Sequence, residues 1–60
     1  MIWGRIISKV SQSIYDMQSD SGERLFCFAP ESLIELQAGQ LVAVENNQTR
    51  GYHSIIAAAV

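Results

Sequence analysis

The chain has 60 residues, 48% of them hydrophobic, with four Lys/Arg against six Asp/Glu and a formal net charge of −2. That length allows one domain at most, and one that buries only about 60% of the surface its unfolded chain exposes. The apolar content excludes a disordered segment. The acidic balance argues against a protein held to nucleic acid mainly through phosphates, and no apolar run approaches the ~20 residues of a membrane-spanning helix.

A domain this small is usually stapled. Cys27 is the single cysteine, so no disulfide can form within the chain, and Cys27 and His53 fall short of the four ligands of a structural zinc site. No cofactor or metal is expected, and stability must come from efficient packing or self-association. Met1-Ile2-Trp3 gives way at once to Gly4 and Arg5, which does not read as a secretory apolar region, so a cytoplasmic location is expected. Asn47-Gln48-Thr49 matches the glycosylation acceptor pattern and reads, without a secretion signal, as a polar turn.

In chain order, Ile2 to Val10 alternates. Ile2, Gly4, Ile6 and Val10 fall on one face and Trp3, Arg5, Ile7 and Lys9 on the other, which is the period of a strand. Ser11-Gln12-Ser13 is a turn. Ile14 to Gln18 reads as a second strand, with Tyr15 and Met17 on one side and Ile14 and Asp16 on the other. Ser19-Asp20-Ser21-Gly22 carries hairpin chemistry, since Asp and Ser bond the local backbone and Gly accepts a positive φ. Arg24 to Ala29 is the third strand, with Phe26 and Phe28 sharing one face and Leu25 and Cys27 the other. Pro30 ends it. Pro30 to Gln37 is expected to form one or two helical turns that plug a barrel, with Glu31 at the N-terminus and Gly39 as the stop. Gln40 to Glu45 is the fourth strand, with Val42 and Val44 inward, and Gly51 to Ala58 the fifth.

Three strands, a short helical connection and two strands predict an all-β, five-stranded small barrel of the OB type, with an SH3-like barrel as the alternative. The residues also resemble a known family. Trp3-Gly4-Arg5-Ile6, the Ser19–Gly22 turn, Leu25-Phe26-Cys27-Phe28-Ala29, Ala38-Gly39-Gln40-Leu41-Val42 and Arg50-Gly51-Tyr52 are together similar to a shortened cold-shock domain. That resemblance implies an OB-fold that binds single-stranded RNA or DNA by stacking bases on aromatic rings. Where the family carries a Gly-aromatic-Gly-aromatic run, Ser13-Ile14-Tyr15-Asp16-Met17 leaves Tyr15 as the ring. In the third strand, Leu25 then stands for the first aromatic, Cys27 for a His, and Phe28 is retained.

The expected nucleic-acid contact set is Trp3, Arg5, Lys9, Tyr15 and Phe28, with Arg50 and Tyr52 at its edge. Rings supply stacking and cations attract the backbone. Trp3, Arg5 and Lys9 carry most of the argument, because they alternate on one strand face and unpaired cations are rarely buried. The competing reading is a protein-interaction module or small inhibitor that keeps the barrel without the stacking platform. Glu31 and Glu35 would share a helix face as an acidic patch. Ile55 to Val60, apolar on both faces, suggests either a barrel-closing strand or an edge paired with a partner or a second copy. Cys27 and His53 are a nucleophile and a base by type, but no orienting group or oxyanion site accompanies them, so an enzyme is not expected.

Overall fold

The computed structural model describes residues 1–33, 35–47 and 52–59, without the side chains of Asn47 and Tyr52. The order is β1 (Ile2–Lys9), β2 (Ile14–Ser19), β3 (Arg24–Phe28), a 3-10 turn (Glu31–Leu33), β4 (Leu41–Asn47) and β5 (Tyr52–Ala58). The strands close into a barrel in the order β1-β2-β3-β5-β4, with β1 against β4. β4, β1, β2 and β3 in spatial sequence are a Greek key, and β5 fills the gap by running parallel to β3 and antiparallel to β4. Of the two barrels left open by the sequence, this is the five-stranded Greek-key, OB-type arrangement.

The core is the inward half of each alternating run: Ile6, Tyr15, Met17, Cys27, Val42, Val44 and Ile55, joined by Ala29. Leu33 and Leu36 pack against it from the connection between β3 and β4, so the plug exists. It is shorter than the expected Pro30 to Gln37 helix. One 3-10 turn forms, and Glu35 takes a positive φ of 68°, which an α-helix does not tolerate. Glu31 and Glu35 therefore do not share a helix face.

Gly4 is required by proximity. A Cβ there would lie 2.2 Å from the Met17 methyl, 2.4 Å from the Gln18 carbonyl oxygen and 2.9 Å from Ser19 Cα. β1 and β2 close this tightly because no side chain stands between them. The β2–β3 hairpin turns as its sequence predicts. Gly22 has φ 95°, and the buried Ser19 hydroxyl accepts the Glu23 amide at 3.1 Å and shares a hydrogen bond with the Ser21 hydroxyl.

β1 departs from simple alternation. Ile6 pairs with Met17, but Ser8 pairs with Asp16, so Ile7 is an extra residue in a bulge. A bulge reverses the facing of everything beyond it. Lys9 consequently pairs with Tyr15, on the inward side of the ladder, and leaves the face that holds Trp3 and Arg5. A second irregularity, between Ala43 and Val44, makes Ile56 the extra residue of β5. β5 itself lies between β3 and β4, so Ile55 to Ala58 of the apolar tail belong to the barrel-closing strand, and Val60 lies outside the described residues.

Candidate nucleic-acid interface

Register alone assembles the outer face of the β1-β2-β3 meander. Arg5, Gln18 and Arg24 lie in one row across the strands, Ser8, Asp16 and Phe26 in the next, and Ile14 and Phe28 in the third, where Ser54 of β5 continues it. Among the described residues Phe26 is the most exposed ring, at 64%, and Phe28 beside it is half-buried. Neither position is needed inside, because Leu25 and Cys27 fill the inward half of β3.

Asp16 and Arg24 on this face form an ion pair. Arg24 grips Asp16 side-on. Its Nε–H donates to Oδ1 at 3.2 Å and one Nη2–H donates to Oδ2. Asp16 is only 8% exposed, whereas the Arg24 side chain reaches into solvent. The hydrogen bonds from Arg24, reinforced by its charge, hold the Asp16 carboxyl below its ordinary value of 3.8 against the opposing effect of burial, and the same pairing raises Arg24. The Arg24–Asp16 pair is therefore nearly neutral, with a guanidinium facing outward and a carboxylate beneath it.

The expected contact set divides. Trp3 is 45% exposed and points outward, but it pairs with Ala43 of β4 on the side away from β2. Ala43 is buried although it too points outward, as a residue opposite an indole would be. Arg5 donates from Nη1 to the Gly39 carbonyl at 2.9 Å, so its guanidinium leans toward the segment before β4. Lys9 sits with its ammonium 5.9 Å from the centroid of the Tyr15 ring. Tyr15 does not belong to the surface. It is 1% exposed, because its neighbours on β2 alternate and it shares the inward face with Met17. Phe28 is on the face. Arg50, and the side chain of Tyr52, lie outside the described residues. Phe26, absent from the expected set, is the aromatic that the register brings forward. Its signal was Cys27 beside it, a small apolar residue suited to the core.

Cys27 and His53 are direct partners in the β3–β5 ladder. The thiol is wholly buried, and that burial, with the nearby Asp16 charge, pushes its pKa up to about 11. It stays protonated at neutral pH and out of reach of a substrate, the opposite of an activated nucleophile. Among the described residues no group of His, Cys, Asp and Glu could hold a metal ion, and no helix is long and apolar enough to cross a membrane. No family model matches the chain, and no curated protein matches it either.

Proposed function

We propose that the domain binds short single-stranded RNA or DNA, in the cytoplasm, by laying bases on the outer face of β2 and β3. The observation that carries this reading is the exposed Phe26 ring beside Phe28 and a solvent-directed guanidinium. In a five-stranded Greek-key barrel that face is the habitual place for an oligonucleotide, although fold alone does not assign function. The resemblance to cold-shock domains points the same way. The mechanism is mainly stacking, with the backbone charge contributing less, because Arg24 is paired with Asp16, Arg5 leans toward the Gly39 carbonyl and the net charge is −2.

Magnitudes follow from that. A base stacked on a ring is worth ~1–3 kcal/mol, and two stacks in the upper part of that range, ~2–3 kcal/mol each, correspond to a Kd of roughly tens of micromolar to a millimolar. Salt dependence is shallow, since few counterions are released. The test is fluorescence anisotropy of a labelled hexanucleotide titrated with the domain at two salt concentrations. Saturable binding that depends on Phe26 and changes little with salt supports the reading. Absence of binding at millimolar protein sinks it.

A second reading is favoured by a different surface. On the outside of β1, β4 and β5, Trp3, Ala43 and Ala57 form one row, with Ile56 and Ala59 exposed nearby. Such a small-residue apolar surface suits a protein partner or a second copy. Sedimentation of the domain across a concentration series tests the second copy directly.

A further inference from the structure

A guanidinium carries five N–H donors arranged as two forks. In Arg24 the side-on fork, Nε–H with one Nη2–H, is taken by Asp16. The end-on fork, the other Nη2–H with an Nη1–H, has no partner among the described residues, and the side chain is 60% exposed. Asp16 is nearly buried in the row beside Phe26, so the carboxylate is a fixed post, and by holding one edge of a planar group it sets the direction of the other. Arg24 and Phe26 are two residues apart on the same face of β3, about 7 Å along the strand. A base lying on the Phe26 ring therefore brings its edge within reach of that open fork.

We propose that Arg24, oriented by Asp16, makes the site selective for guanine and cytosine over adenine and thymine or uracil. Two parallel N–H donors match two adjacent acceptors, and in a single strand guanine presents such a pair as O6 and N7, and unpaired cytosine as O2 and N3. Adenine offers N7 or N1 next to an amino donor, and thymine or uracil two oxygens separated by an N–H donor. A phosphate or a carboxylate also fits a fork. Here either would bring a second negative charge up to Asp16, with one guanidinium between the two anions. A neutral base edge meets no such repulsion. The inference rests on the single-stranded nucleic-acid reading above and adds to it which bases are preferred.

The experiment compares labelled pentanucleotides with a thymine background and one central variable base, titrated by anisotropy, with circular dichroism confirming that each variant folds. Central guanine and central cytosine are expected to bind about tenfold more tightly than central adenine or thymine. Replacing guanine by 7-deazaguanine, which lacks the N7 acceptor, removes most of its gain. R24K, which keeps the charge and loses the fork, abolishes the preference while binding that depends on Phe26 persists. D16N weakens the preference and steepens the salt dependence, because the guanidinium is released to take phosphate. Equal affinity for all four bases and for 7-deazaguanine overturns this selection by the fork and leaves the nucleic-acid reading standing. A loss in R24K that is uniform across sequences, with a shallower salt slope, also overturns it, since Arg24 then reads phosphate. Failure of every oligonucleotide to bind ends both.

Discussion

Two outer surfaces of one small barrel follow opposite rules. The β2–β3 face sets an exposed ring, a half-buried ring and a clamped ion pair side by side. The β4–β5 face sets alanines in register, Ala43 against Ala57, with a bulged Ile56. Both face outward, so core packing explains neither choice of residue. A smooth alanine surface offers area and no direction. A ring beside an oriented guanidinium offers a plane and a fork, which is the chemistry of base recognition. One surface has the groups that the proposed base recognition needs, and the other has those that suit structure or a protein contact.

The harshest way to break the comparison is through β1, the strand between the two surfaces. Gly4→Ala puts a methyl within 2.4 Å of the Gln18 carbonyl and 2.9 Å of Ser19 Cα, which are backbone atoms that cannot swing aside. The cost is expected at the upper end of ~1–3 kcal/mol or above it, a large share of the total stability of a 60-residue domain. A thermal melt should show a sharp fall in Tm and loss of both surfaces together.

Phe26→Ala acts on one surface only. Because the ring is 64% exposed, stability should stay within about 0.5 kcal/mol of the parent, while oligonucleotide affinity falls by the ~1–3 kcal/mol of a lost stack. Comparing anisotropy titrations with denaturant melts separates the two effects.

Among the described residues, Asp16 and Cys27 make stability depend on pH, with opposite signs. Asp16 has its folded pKa depressed below 3.8, so its contribution is complete above that value and is lost as pH falls through the folded pKa. Asp16→Asn should flatten the acid limb of a Tm-against-pH curve. Cys27 is raised from 9.0 to about 11, so the folded state holds a proton that the unfolded state releases, and stability drops as pH rises through that interval. A variant without the thiol, such as Cys27→Ala, is less stable at neutral pH from the cavity it leaves, but its alkaline limb should be flatter.

The smallest effect belongs to the alanine surface. Ala57→Lys, at an exposed position, should change stability and oligonucleotide affinity by no more than about 0.5 kcal/mol. If it abolished nucleic-acid binding, the assignment of the two surfaces would be reversed.

Most of the fold was legible because period-two alternation survives in the strands, and because Pro30, the Ser19–Gly22 turn and Gly39 punctuate the chain where the elements change. The site was less legible, for identifiable reasons. Leu25-Phe26-Cys27-Phe28 is apolar at every position, so alternation could not say which pair faces outward. Aligning Leu25 and Cys27 with the family's aromatic and His chose the pair that fills the core. The Ile7 bulge is invisible in a string of alternating residues, and it removed Lys9 from the face shared by Trp3 and Arg5. Tyr15 looked like a stacking ring by its type, yet at 1% exposure it is a core residue. The Asp16–Arg24 clamp joins residues eight apart and emerges only once the hairpin sets Gln18 opposite Arg24 and Asp16 opposite Phe26.

The central claim is that one outer surface, and not the other, receives the ligand. Amide and methyl chemical-shift mapping with a short guanine-containing single strand tests it most directly. The account predicts perturbations concentrated on Ile14, Gln18, Arg24, Phe26 and Phe28, with Ala43, Ile56 and Ala57 unmoved. Shifts centred on Ala43, Ile56 and Ala57, or none at saturating oligonucleotide, would contradict it.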